Sequence, residues 1–308
     1  MTLQQLNYIV AVDHYRHFGD AANACGVTQS TLSSMIQKLE IELDVTIFDR
    51  SSQPVKPTSL GEELINQAKI VLYNASQLKE IVHLEKKLGQ GKIRLGIIPT
   101  VAPYILPSLF KQMLTKHPQV ELEVSEMRTV RLIKKLERAE LDMALLATPL
   151  NKPNLLEIPL YYEKFYAYIS PTHPLFSQET VASSDLTDDQ MWVLKEGHCL
   201  RDQVFNFCKT ESHYLPMYEA GSIDTLVRIV DLNGGYTIIP QLHIDLLKKC
   251  QKRNIRKLKS PEPVREISLV VRNDFVKERL LNLIIDQVKE LIPPEMIDER
   301  LKKFTIKL

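Results

Sequence analysis

Two cysteines and their neighbours are the residues here whose types and spacing suit them for chemistry. The run Gly197-His-Cys-Leu-Arg-Asp-Gln203 leads on to Phe207-Cys208. Leu200, Val204, Phe207 and Cys208 fall at i, i+4, i+7 and i+8, the apolar face of a helix. Cys199 then sits near that helix's N-terminus, beside His198 and close to Arg201. All three influences favour thiolate, the form that reacts with peroxide. Oxidation of a thiolate gives a sulfenic acid, which condenses with a second thiol. Two other readings stand beside this one. His198, Cys199, Cys208 and His213 offer zinc-ligating types, although their spacing fits no common finger pattern, and both cysteines could be buried and inert. Cys25 falls on the inward face of its own helical segment. Cys250 lies in the basic Leu247-Lys-Lys-Cys-Gln-Lys-Arg with no evident partner.

Four cysteines in 308 residues are too few for a disulfide scaffold and point to a reducing compartment, the cytoplasm. Met1-Thr-Leu-Gln-Gln-Leu has no basic region followed by an apolar block, so no export signal is expected. The uncharged and largely apolar run Leu95 to Phe110 contains Pro99, Pro103 and Pro107 and is no membrane span. With 44% hydrophobic and 25% charged residues, the chain is neither disordered nor fibrous and fills two or three cores. Residues 58–88 read as one long helix, and Gly89-Gln-Gly91 as its break. Strand-like and helical runs alternate beyond it, the pattern of an α/β architecture. Ile93 to Thr100 reads as a strand followed by a helix start. Thr100 thus falls at a strand's carboxyl end, where open α/β sheets place ligands. Val124 to Thr129 repeats the arrangement, with Thr129 able to cap the next helix. Asn233-Gly-Gly-Tyr-Thr reads as a tight turn.

The clearest helical period lies near the N-terminus. Phe18, Ala21, Ala22 and Cys25 share one face, Gly26-Val27 turns the chain, and Thr28 can cap a second helix. That helix turns Leu32, Ile36, Leu39 and Leu43 one way and Gln29, Ser30, Ser33, Ser34, Gln37 and Lys38 the other. Helix, turn and helix in this span describe a helix-turn-helix, although a plain helical hairpin gives the same pattern. Residues 1–90 carry eight basic and ten acidic side chains, a net charge of −2. Phosphate contacts dominate DNA affinity, so DNA binding here calls for several copies acting together. Leu64, Ala68, Val71, Ala75, Leu78 and Val82 repeat at 4, 3, 4, 3, 4, the seam of a helix pair. Packing within one chain would use the same residues.

The segment from Phe18 to Leu43, with Phe48-Asp-Arg and Pro57-Thr-Ser-Leu-Gly61, resembles the winged helix-turn-helix of LysR-type transcriptional regulators. The resemblance covers the whole chain; Asp44 stands where a glycine is usual. It implies a winged helix-turn-helix over 1–57, a linker and dimerisation helix over 58–88, and a regulatory domain over 89–308. That last part would be an α/β effector module of two Rossmann-like subdomains, similar to a periplasmic binding protein. Subdomain I would take about 92–163 and 269–300, and subdomain II about 164–268. By the same resemblance Gln29, Ser30, Thr31, Ser33, Ser34 and Lys38 lie toward the major groove, and Arg50 in the wing approaches the backbone or minor groove. The implied partners are double-stranded operator DNA, further copies of the chain as a dimer of dimers, RNA polymerase, and a thiol reductant of the glutaredoxin or thioredoxin type. No cofactor, metal, membrane or enzymatic turnover is implied.

The cysteine segment is similar to that of the family's peroxide-sensing members. This implies that hydrogen peroxide attacks Cys199 and that Cys208 resolves the product into a reversible disulfide. It places Thr100, Thr129, His198, Asp202 and Arg265 around the peroxide pocket. The alternatives are a regulator that answers a small organic effector and uses its cysteines structurally, and a thiol peroxidase with a helical head. If residues 199–208 are helical, their ends lie about 13 Å apart, against roughly 4.4–6.8 Å between the Cα atoms of a disulfide. The bond then requires the helix to unwind. Closing a loop of this length contributes about 2.5–3 kcal/mol, the scale of a two-state switch.

Overall fold

The computed structural model describes residues 1–86, 91–186, 190–208 and 220–305, without the side chains of 79–86, 207, 208, 303 and 304. The chain forms two compact units, Met1–Leu88 with Arg138–Glu140, and Gly89–Glu137 with Leu141–Leu308.

The first unit is built on helices α1 (Leu3–Tyr15), α2 (Phe18–Ala24) and α3 (Gln29–Leu43). Their starts are written in the sequence. The Thr2 hydroxyl accepts from the Gln5 backbone N–H while the Gln5 side chain accepts from that of Thr2, a reciprocal cap. Thr28 caps α3 by accepting from Thr31 N at 3.2 Å. Leu32, Ile36 and Leu39 are buried as their period requires, whereas Leu43, in the last turn, is exposed. Asp44 ends α3 with φ +53°; aspartate tolerates this left-handed conformation better than most residues, so the usual glycine is dispensable. Strands β1 (Phe48–Asp49) and β2 (Lys56–Pro57) pair antiparallel to form the wing.

Helix α4 (Ser59–Lys86) follows with 28 residues, about 42 Å of rise. Gly61 permits its start: a Cβ there would stand 2.1 Å from the Ile47 carbonyl oxygen. Ile65 and Ala68 join the core of the head, while Leu78 of the seam is 68% exposed.

The second unit comprises β3 (Gly91–Ile97), α5 (Ala102–Lys116), β4 (Val120–Glu126), α6 (Thr129–Glu137), β5 (Met143–Thr148), β6 (Leu155–Ile169), β7 (Thr180–Val181), α7 (Cys199–Cys208), α8 (Ile223–Asn233), β8 (Tyr236–Pro240), α9 (Lys249–Lys252), β9 (Ile255–Leu258), β10 (Val264–Arg272) and α10 (Glu278–Lys289). The strands run in the order β4-β3-β5-β10-β6-β9-β7, with β8 also on β6. β3 is parallel to β4 and β5, while β10 is antiparallel to β5 and β6. Two apolar cores form on successive parts of this sheet. One gathers Ile93 to Tyr161 and Ile267 to Met296; the other gathers Phe165 to Leu258. The long strand β6 runs through both, and it pairs with β10 along a ladder that shifts register between Ile267 and Ser268. Gly235, with φ +78°, is a turn residue that a side chain would block, since its Cβ would meet the Gln190 carbonyl oxygen at 2.3 Å. Among the described residues no helix is long and apolar enough to cross a membrane.

Candidate functional site

Cys199 opens α7, and His198 precedes it with its carbonyl accepting from Arg201 N. The helix belongs to both cores at once. Cys199 packs into the first cluster, whereas Leu200 and Val204 of the same helix pack into the second. Cys199 is only 5% exposed and carries a free thiol. The Cys208 side chain and His213 lie outside the described residues.

Burial reverses one expectation from the sequence. The helix N-terminus, His198 and Arg201 were expected to hold a thiolate, yet burial pushes the Cys199 thiol above the ordinary range, against the opposing pull of Arg265 and Thr129. His198 gives no positive charge, because burial and then the Arg128 guanidinium lower its imidazole. The Arg201 guanidinium lies over the Phe205 ring, 5.4 Å from its centroid. The resting site is therefore a neutral thiol with the means to stabilise charge close by.

Those means are Arg265 and Thr129. Arg265 on β10 is fully buried. Its Nη1 donates to Thr100 Oγ1 at 3.0 Å and its Nη2 to the Thr100 carbonyl at 3.0 Å. Its Nε donates to Glu163 Oε2 at 2.8 Å, and its Nη2 stands 2.7 Å from the same oxygen. Burial opposes the Arg265 charge, but Glu163 and, after it, Tyr161, Tyr104 and Cys199 together outweigh it and hold the guanidinium above its usual value. Thr129 is not the cap the sequence suggested: the Arg128 carbonyl accepts the first helical bond of α6, from Leu132 N. The Thr129 hydroxyl is buried without a well-formed hydrogen bond and lies within reach of the Cys199 sulfur, where it favours the thiolate.

Arg265 and Thr129 thus act on Cys199, with Thr100 held to Arg265 and His198 next to Cys199 in the chain. Asp202 is exposed on α7, and its charge acts on Cys199 in the unfavourable direction. Sequence reasoning also missed part of the cluster. Glu163 is fully buried, and Tyr161 on the same strand has a buried hydroxyl without a partner. The Tyr104 hydroxyl on α5 meets His243 Nδ1 at 3.2 Å. Gln203, one turn after Cys199, is fully buried with both amide atoms unpartnered. A charge inside a long apolar strand, as at Glu163, is the signal that could have found this set, since it demands a buried partner. Among the described residues no cluster of His, Cys, Asp and Glu is arranged to hold a metal.

The head presents a second surface. Gln29, Ser30, Thr31, Ser34 and Lys38 are exposed on α3, and Ser33 is half-buried. The Thr28 hydroxyl shares hydrogen bonds with those of Ser30 and Thr31, at 3.0 and 2.8 Å. Arg50 is anchored: Nη2 stands 2.9 Å from Glu40 Oε2, Nη1 reaches Ser33 Oγ at 3.3 Å, and the guanidinium covers Phe18. Glu40 is itself fixed, accepting from Ile47 N at 2.8 Å.

A winged helix-turn-helix joined to an α/β unit with two cores defines a DNA-binding regulator with a separate receiving module. The chain belongs to the LysR family of transcription regulators. Residues 3–62 match the bacterial regulatory helix-turn-helix protein of the lysR family, and residues 86–293 the LysR substrate binding domain. The hydrogen peroxide-inducible genes activator of Haemophilus influenzae is 34% identical over 305 residues, covering 95% of this chain and 99% of that protein. The DNA-binding transcriptional dual regulator OxyR of Escherichia coli K12 is 35% identical over 277 residues, covering 88% and 90%. Full-length OxyR from Pseudomonas aeruginosa has a similar structure, with a TM-score of 0.78 at 32% identity over 94% of this chain and 98% of that one.

Proposed function

We propose that this chain is a cytoplasmic transcription activator switched by hydrogen peroxide through a reversible Cys199–Cys208 disulfide. The observation that carries this reading is the placement of Cys199 at the head of α7, buried between the two cores beside Arg265 and Thr129. Relatives that are named for peroxide-inducible genes, and that align along most of the chain, support it.

The chemistry balances without a cofactor. The Cys199 thiol gives up its proton, and Arg265 and the Thr129 hydroxyl stabilise the sulfur's negative charge. The sulfur attacks one oxygen of hydrogen peroxide, the O–O bond breaks, and the departing hydroxide takes up the proton as water. Cys199 is left as a sulfenic acid, oxidised by two electrons. The Cys208 thiolate then attacks that sulfur, the S–O bond breaks, and the leaving hydroxide becomes a second water. A dithiol reductant of the glutaredoxin or thioredoxin type reverses the disulfide.

In this reading the outward side chains of α3, Gln29 through Lys38, enter the major groove, and Arg50 approaches the minor groove or backbone. Two or four copies act together through the α4 seam, where Leu78 is exposed, and the activated form engages RNA polymerase. An operator footprint taken with and without peroxide tests the function. It should change in the wild type and stay fixed in Cys199→Ser; a footprint indifferent to peroxide in both refutes it.

A further inference from the structure

The buried ion pair beside the thiol is more than a structural tie. Arg265 and Glu163 face each other across the β10–β6 ladder, and both are 0% exposed. Glu163 is fixed at both oxygens. Oε2 takes the Arg265 fork, and Oε1 accepts from the Leu242 backbone N–H at 2.8 Å. The carboxylate therefore cannot swing away from the guanidinium, and it commits the Nε edge of Arg265. The Nη1 edge is turned to Thr100. Among the described residues, the titratable and charged groups near the thiol are Arg265 from β10, Asp202 from α7 and the preceding His198; around Arg265 stand Glu163 and Tyr161 from β6, Tyr104 from α5 and His243. Arg265 is the cation of this set, and Glu163 is the anion in contact with it.

We propose that Glu163 is a positioning residue for the sensing reaction: it aims Arg265 at Thr100 and offsets its charge, and so sets how readily the Cys199 thiol loses its proton. Glu163 acts only through Arg265. It keeps the resting cysteine protonated and slow toward other electrophiles, while leaving a cation in place for the charge that develops on attack. The inference rests on Cys199 being the peroxide-reactive thiol proposed above.

The test follows alkylation of Cys199 by iodoacetamide, read by peptide mass, against pH in the native reduced full-length protein. Glu163→Gln keeps the shape and removes the charge. Its profile should move down by about one pH unit, with alkylation near neutrality about tenfold faster. Glu163→Asp keeps the charge and should restore the wild-type profile. An unmoved or raised Glu163→Gln profile in a folded protein overturns the proposal. If the lone buried guanidinium prevents that variant from folding, the same change is made in an Arg265→Gln background. Arg265→Gln alone should raise the profile, and Glu163→Gln added to it should move it no further; an unmoved Arg265→Gln profile, or a further downward shift in the double variant, overturns the proposal. Alkylation needs no peroxide. A wild type that alkylates as described but ignores peroxide would refute the sensor reading and leave the Glu163 result standing.

Discussion

Cys199 and Cys208 are the first and last residues of one ten-residue helix, α7. Nine helical steps separate their Cα atoms by about 13 Å, roughly twice the span a disulfide bridges. The bond and the helix are therefore alternatives. Forming the bond takes apart an element whose first turn is shared between two cores, which gives a local oxidation a route to a wider rearrangement.

Removing the resolving thiol should separate the two chemical steps. Cys208→Ser is expected to form a sulfenic acid on Cys199 with peroxide, trapped by dimedone and seen as a mass shift on that peptide. Far-UV circular dichroism should then change little, because α7 has no reason to unwind. A helix lost to the same extent as in the wild type would mean that the sulfenic acid alone is the trigger.

The raised Cys199 thiol gives the pH dependence a definite sign. Thiolate, and with it the peroxide rate, should keep increasing as pH rises beyond the ordinary thiol value of about 8.5. Thr129→Val removes a hydroxyl that favours the thiolate, so its profile should shift to higher pH and its rate near neutrality fall about three- to tenfold. Stopped-flow oxidation across a pH series measures both. A profile moving to lower pH would show that Thr129 opposes the thiolate.

Much of the head was legible in the sequence because helices announce their period and their caps. Thr28 as the cap of α3 and Leu32, Ile36 and Leu39 as its inner face followed from spacing alone. Leu43 did not, since the helix ends one residue later at Asp44 and its last turn has nothing to pack on. In the regulatory unit the strand ends and α7 could be read, but the environment of the sulfur could not. Flanking charges suggested a thiolate, whereas desolvation, which depends on long-range packing, decided against it. Glu163 and Arg265 are 102 residues apart, and only the strand register brings them face to face. Nor could the exposure of Asp202 on α7 be read, because nearness in sequence does not fix which side of a helix meets the core.

Gly61 is where the wing and α4 meet most closely. Gly61→Ala drives a methyl group into the Ile47 carbonyl and should cost about 1–3 kcal/mol. Chemical denaturation followed at the head, together with operator binding, should show both reduced. Unchanged stability would mean that the backbone yields there at no cost.

Arg50 is held out from the wing by Glu40 and Ser33. Arg50→Ala should weaken operator binding and reduce the slope of log affinity against log salt by about 0.9 for each DNA phosphate the side chain neutralises. Titrations at several salt concentrations measure the slope. Identical affinity and slope would remove Arg50 from the DNA interface.

Hydrogen exchange with mass mapping of the 199–208 peptides, before and after peroxide, tests the account most directly. The reduced protein should show protected α7 amides and no crosslink; the oxidised protein should carry a Cys199–Cys208 crosslink and lose that protection. A crosslink formed with α7 still protected, or a full peroxide response without the crosslink, would contradict it.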